Sequence, residues 1–199
     1  MKKPEPGNKK LEPTMTLKYL VEVTDKDGKV IQRISAPGRS FVRQWYDAMS
    51  GMADNVLRVV KDTGGTNQNC TPHAFCFFAL AAIGVTSHGI RIGKGSTAVT
   101  ISDYALETPL EEGTGLDQFE HQASTYGKPA VVASSCSFWL RRSMINNTGD
   151  TISAIREIGI YTRVAAGYFM LGVRDVLPGV VAVPDGGAIT VTYTIGVTV

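Results

Sequence analysis

The closing stretch AITVTYTIGVTV, residues 188–199, puts Ile189, Val191, Tyr193, Ile195, Val197 and Val199 on one parity and mostly threonine on the other. Successive side chains of an extended chain point to opposite faces, so this alternation describes a β-strand with one buried face. The residues before it follow the same grammar, with short alternating or apolar runs punctuated by NNTGD (146–150), DVLPG (175–179) and VPDGG (183–187). Glycine, proline, asparagine and aspartate in such clusters mark turns, so the C-terminal third reads as strand, turn, strand.

The same reading extends toward the N-terminus. In 130–145, Val132, Cys136, Phe138, Leu140 and Met144 alternate against Ser135, Ser137 and Arg141, which predicts one long strand. Arg141 and Arg142 are adjacent there, so one must face each way. Thr16–Thr24 alternates with Leu17, Tyr19, Val21 and Val23 inward, and DKDGK leads into Val30–Ser35. This is a hairpin whose Asp27-Gly28 offers the positive φ of a tight turn. Ser40 is placed to cap a helix running to about Met52, with Phe41, Trp45 and Met49 recurring every four residues and Val42 and Tyr46 widening the stripe. Val56–Lys61 reads as a strand and DTGGTNQN (62–69) as a long polar loop. The apolar stretch 74–85 reads as a strand or two buried on both faces, although periodicity alone does not separate that from a buried helix. Further strands are expected at 90–92, 116–126, 151–162, 166–174 and 188–197. Nine or ten strands with one short helix, at about 40–52, predict a mainly β protein: an antiparallel β-sandwich, jelly-roll-like, over residues 15–199 as a single domain.

Residues 1–14 differ in kind. Four lysines, three prolines and two glutamates with almost no apolar residue predict an extended arm that does not fold alone. No apolar stretch follows its basic residues, so it does not read as a secretory signal, and synthesis in a cytoplasm is the expectation. The chain has 20 Lys and Arg against 18 Asp and Glu, a formal +2, which offers bulk electrostatics little to attract nucleic acid. The run from Ala74 to Val85 is too short to span a bilayer. Three cysteines, Cys70, Cys76 and Cys136, suit reduced thiols better than a disulfide framework.

Three patterns suggest chemistry. Gly93-Lys94-Gly95-Ser96-Thr97 has the flavour of a phosphate loop, but the Walker spacing is not met and no helix pattern follows, so the glycines are read as turn residues. Cys70, His73 and Cys76, with Cys136 as a possible fourth, are soft metal ligands, yet they straddle the start of an apolar run where cysteine serves as a small buried residue. Glu111, Glu112, Glu120 and His121 lack a nucleophile, base and orienter set, and adjacent carboxylates on one loop do not oppose each other across a cleft. No cofactor, metal or catalytic residue is therefore expected. The residues expected to make contacts are Lys2, Lys3, Lys9 and Lys10 of the arm, the threonine face Thr190, Thr192, Thr194 and Thr198, and Trp139. A solvent-facing edge strand would carry Lys or Glu to block accidental pairing, so a small uncharged face suggests packing against another sheet or another copy.

Several segments in order, DKDGKVIQRISAPGRSFVRQWYDAM, VVKDTGGT, GIRIGKGSTAVTISDYALETPLEEGTG, NNTGDTISAIREIGIYTR and VRDVLPGVVAVPDGGAITVTYTI, resemble a group of tailed-bacteriophage structural proteins of about this length. The resemblance runs over most of residues 17–196, with SDYALETPL, REIGIYTR and the ending as its most specific parts. It implies a non-enzymatic virion component and transfers no catalytic residue. On that footing the expected partners are capsid or tail proteins and further copies of the chain, in a virion assembled in the bacterial cytoplasm, without membrane or nucleic acid. A capsid decoration or cement role is placed ahead of a tail, baseplate or fibre role. The competing expectation is a carbohydrate-reading sandwich with Trp139, Tyr104, Tyr126 and Tyr168 as exposed aromatics.

Overall fold

The alternation seen at residues 188–199 becomes the middle of a sheet. The computed structural model describes residues 14–38, 40–70 and 77–199. In chain order the elements are β1 (Thr14–Thr24), β2 (Val30–Pro37), α1 (Arg43–Asp54), β3 (Arg58–Lys61), β4 (Asn67–Cys70), β5 (Gly89–Gly93), β6 (Glu111–Glu112), β7 (Gln118–His121), β8 (Thr125–Val132), β9 (Ser135–Ile145), β10 (Ile152–Ala165), β11 (Tyr168–Val183) and β12 (Ala188–Thr198). The main sheet runs β2-β1-β12-β9-β7-β6, with β8 also paired to β9. A small sheet, β11-β10-β5, packs on it, and β3-β4 forms a separate ribbon. All pairings are antiparallel except the two-residue β6–β7 contact. The protein is therefore mainly β, two sheets face to face, as the strand-rich pattern requires. No helix among the described residues is long and apolar enough to cross a membrane.

The parity read from the sequence sets the core. Leu17, Tyr19, Val21 and Val23 of β1 stand opposite Ile195, Tyr193, Val191 and Ile189 of β12. These face Ile158 and Ile160 of β10, Val173 and Val181 of β11 and Ile90 and Ile92 of β5 in one buried cluster. Strand β10 is buried on both sides, because its other face, with Glu157 and Tyr161, lies under the 94–110 loop. The hairpin turn forms as expected: Asp25 Oδ1 accepts the backbone N–H groups of Asp27 and Lys29, and Gly28 takes a φ of +77°.

Several elements differ from the sequence reading. Strand β12 is central, between β1 and β9, so it has no free edge for charges to protect. The 130–145 stretch is broken at Ala133–Ser134, where Ala133 turns with φ +51°, and the residues before it belong to β8. DVLPG is a bulge within β11 rather than a turn, since the register jumps from Glu157↔Val176 to Ile155↔Val181. The loop 62–69 contains β4, closed by a turn in which Asp62 Oδ1 accepts the amides of Gly64 and Thr66. Ser40 does not cap the helix; its hydroxyl donates to Asp175 Oδ1 at 3.3 Å, and Val42 occupies the N-cap without a side-chain bond. The buried helix face is Gln44, Trp45, Ala48 and Gly51, while Tyr46 and Met49 are exposed. Small residues at 48 and 51 allow the helix to approach the strands closely, and the bulkier side chains are left at its flank.

The largest departure is 77–88, which takes in the described part of the apolar run, 77–85. It holds no strand, only an isolated bridge from Phe78 to Arg163. Its backbone is satisfied in another way, by the buried guanidinium of Arg142, the inward member of the arginine pair. Nε donates to Gln122 O at 2.8 Å, Nη1 to His88 O and Ile90 O at 3.4 and 3.3 Å, and Nη2 to Ala82 O and Val85 O at 3.3 and 2.6 Å. Five N–H groups meet five carbonyls. Burial, reinforced by the nearby Arg91 charge, pushes the Arg142 pKa down to about 10, still charged at neutral pH. Lysine would offer three donors, so R142K should destabilise the chain by on the order of 3 kcal/mol through unpaired buried carbonyls. Urea unfolding of the two chains measures this, and equal midpoints would show that the loop is held by other contacts.

Candidate interaction surface

Toward one end of the main sheet the inward-facing residues become exposed. Along β1 the inward residues run from Val21 at 1% exposure through Tyr19 at 4% and Leu17 at 5% to Met15 at 46%. Along β12 the series is Val191 and Tyr193 at 0%, Ile195 at 7% and Val197 at 40%. The register joins Met15 to Val197, Val197 to Cys136 and Cys136 to Val131, which is 75% exposed. One cross-strand row of core parity thus lies open across four strands, with the half-buried Phe138 just behind it. Beside it, helix α1 contributes Met49 and Met52, both more than two-fifths exposed, and a groove of about 470 Å³ lies between these methionines, Met15 and Phe138. A second hollow of about 320 Å³ continues past Phe77, Leu80 and Tyr126. Among the described residues no charged side chain lines either one, and Trp45 Nε1 and Thr162 Oγ1, on the walls of the second hollow, are buried without a hydrogen-bond partner. The sequence reading missed this surface because it assigned these parities to the core, and parity says nothing about where the covering layer ends.

The residues expected to make contacts are distributed differently. Lys2, Lys3, Lys9 and Lys10 lie outside the described residues. Thr190, Thr192, Thr194 and Thr198 line the outer face of the main sheet, where no second sheet covers them. The Thr190 and Ser143 hydroxyls are 2.7 Å apart, those of Thr198 and Ser135 2.8 Å, and Thr192 Oγ1 accepts from Arg141 Nε at 3.0 Å. By register Thr194 sits between Lys18 and Trp139. Trp139 is half-buried, with the Arg141 guanidinium 5.0 Å from its ring centre. Its indole also occupies the space above Gly127, where an added Cβ would meet Nε1 at 2.1 Å. Tyr104, Tyr126 and Tyr168 are exposed but sit on separate elements, and no ring contact joins any two of these four aromatics among the described residues.

The chemically suggestive patterns have structural explanations. In GKGST, Gly95 N–H donates to Glu157 Oε1, and the Ser96 and Thr97 amides donate to Glu107 Oε2, both at 2.9 Å. These are the donors with which a loop would cradle a phosphate, and internal carboxylates already fill them. The expected turn role of the glycines gives way to close approach: a Cβ on Gly95 would lie 2.5 Å from the Glu107 Cβ, and one on Gly93 2.5 Å from Glu157 Oε1. Lys94 pairs with Asp117 at 2.5 Å. Glu157, fully buried, also accepts from the Thr108 and Glu107 amides and from Arg174 Nε. Arg174 reaches Asp103 at 2.8 Å and Glu107 at 3.6 Å. The amides and the guanidinium hold Glu107 below the usual carboxylate range.

Of the soft ligands, Cys70 is buried against Ala48, Val60, Val164 and Met170, whereas His73 and Cys76 lie outside the described residues. No cluster of metal ligands occurs among the described residues. Glu112 and His121 do come together: His121 Nδ1 donates to Glu112 Oε2 at 2.9 Å and approaches Phe119 O at 3.0 Å, and the ring is fully buried. Burial, then Arg142, then Arg91, push His121 down to about 4, against the opposing pull of Glu112. It is neutral at pH 7. Comparison of the chain with protein-family models, curated proteins and solved structures finds no match.

Unfolding restores His121 to its ordinary value near 6.5, so the unfolded chain binds the extra proton between pH 6.5 and 4. Stability should be undiminished by this residue above pH 6.5 and fall by on the order of 3 kcal/mol as the pH drops through that window. Thermal unfolding across pH 4–7 should show the loss, and H121Q should flatten it. A parallel pH dependence in both chains would assign the slope to other groups.

Proposed function

We propose that this chain is a non-enzymatic structural subunit of a tailed-phage particle that binds neighbouring virion proteins through the open end of its main sheet. The observation that carries the reading is the row Met15, Val197, Cys136 and Val131, which has core parity and is exposed at Met15, Val197 and Val131 and half-buried at Cys136. Apolar area in contact with water is a standing free-energy cost of about 25 cal/mol per Å², and it is removed when another protein takes the place of the absent layer. A row of hydrophobics open at the end of a sheet, flanked by Met49 and Met52, whose flexible side chains adapt to different partners, fits assembly better than small-molecule chemistry. The GKGST amides are taken by Glu107 and Glu157, and the buried ring of His121 is bonded through Nδ1 to the half-buried Glu112. The resemblance of the ordered segments from DKDGK to VTYTI to phage structural proteins supports the same class, with capsid decoration ahead of a tail role.

Antibody raised against the recombinant chain, coupled to gold and applied to phage particles from the source, tests this. Even label over the head is the expected outcome. Label confined to the tail would move the subunit to the tail, and no label on intact or disrupted particles would defeat the virion reading. Glycan-array binding that is abolished by W139A would instead favour the carbohydrate-reading alternative.

A further inference from the structure

We propose that the hollow over Arg174 is a binding site for a neutral sugar, held through the sugar's hydroxyl groups. The hollow has a volume of about 400 Å³, within the range of small-ligand sites, and shares no residue with the open row. One wall is the continuous run Ser102–Glu107. Buried partners anchor this wall from behind. The Leu106 amide donates to the Tyr161 hydroxyl at 2.8 Å, and the Glu107 and Thr108 amides donate to Glu157 at 3.0 and 2.7 Å. A wall fixed in this way holds its outward groups in place before a ligand arrives.

The polar groups select the ligand. Arg174 is only 3% exposed; its Nε donates to Glu157 and its Nη1 to Asp103, but Nη2 makes no hydrogen bond among the described residues. A buried guanidinium N–H calls for an acceptor. The rim has the opposite need. Asp103 and Glu107, with side chains 18 and 43% exposed, both lie below the usual carboxylate range and so are acceptors only. At Asp103 burial, which opposes ionisation, is outweighed by the bonds from Thr100 and Arg174. The Thr100 hydroxyl donates to Asp103 Oδ1 at 2.6 Å, so the Ser102 hydroxyl 3.1 Å away donates to Thr100 and keeps its lone pairs as further acceptors. The ligand must therefore accept from an arginine and donate to carboxylates in one small space, and a hydroxyl does both. The gap of 3.6 Å between Nη2 and Glu107 Oε2 is closed by a hydroxyl that accepts from one and donates to the other after a small rotation of the exposed Glu107 side chain. An anion would meet Asp103, Glu107 and Glu157 against a single guanidinium. A metal or ammonium ion has no lone pair for Nη2. Several hydroxyls on one ring match two carboxylates bridged by one guanidinium. Tyr104, 39% exposed, adds ring surface for the C–H side of a sugar, and it is steadied by the Lys61 ammonium 5.0 Å from its centre.

Amide NMR titration of the full chain with glucose, galactose, mannose and N-acetylglucosamine, and separately with calcium chloride and inorganic phosphate, tests the site. At least one of the sugars is expected to bind with a dissociation constant on the order of 1 mM and to shift the amides of 96–107. Y104A removes an exposed side chain, and E107Q keeps an oxygen for the Ser96 and Thr97 amides, so both should retain the thermal midpoint. Each should weaken sugar binding about tenfold or more, through lost ring contact or a lost charged hydrogen bond. Y168A, at an exposed ring on another element, should bind as the parent chain does. No shift with any of the four sugars, sugar binding unchanged in both Y104A and E107Q, or shifts of 96–107 with calcium or phosphate alone would each overturn the proposal. Binding lost in W139A but kept in Y104A would overturn it as well, by moving the sugar to the main sheet. Label on virions bears on the structural role and leaves these outcomes unaffected.

Discussion

A single guanidinium, that of Arg142, holds together the part of the sandwich that has no regular structure. The 77–88 segment crosses one end of the core without pairing as a strand, and backbone carbonyls in such a place need donors. Arg142 supplies five from one position on β9, at the cost of burying a charge. Its partners span three parts of the chain: Gln122 after β7, the loop carbonyls at 82, 85 and 88, and Ile90 in β5. The guanidinium therefore ties β9 of the main sheet to β5 of the small sheet and to the loop that leads into it. Burial keeps the His121 ring neutral, and the same charge, with that of Arg91, adds to the effect.

A second buried arginine organises the opposite face of the small sheet. Arg174 of β11 and Glu157 of β10 are diagonal neighbours across the pair of strands, and the glycine-bearing loop 93–97 wraps over them with its amides turned toward Glu157 and Glu107. An amide nest attracts an anion regardless of whether it is a ligand or a side chain. In this fold the anion belongs to the chain, and the resemblance to a phosphate loop comes from the same physics being used for structure.

Away from these polar clusters, the feature facing outward is apolar. The row at the end of the main sheet stands open where the inward parity of β1, β12 and β8 continues past the buried cluster shared with β10, β11 and β5. Inward parity beneath a second layer makes a core; the same parity beyond it makes a surface for association. The assembly role proposed for the chain follows from that open parity.

Strand content, the β1–β2 hairpin, the inward parity of β1, β9 and β12, and the existence of one helix were all legible from residue order, because alternation and turn chemistry are local properties that need no knowledge of neighbours. The outward Thr190, Thr192 and Thr194 belong to the same local rule. What tertiary structure alone decided was which strand lies next to which. The threonine face belongs to a central strand and not an edge, the apolar run at 77–88 pairs with an arginine and not a strand, and GKGST binds glutamates ten and more residues away. Arg141 and Arg142 show the boundary most clearly: parity dictates that they face opposite ways, but only the long-range placement of five carbonyls selects Arg142 for the interior. The open row lies beyond sequence reading for the same reason, since the end of a covering layer is set by contacts between residues far apart in the chain.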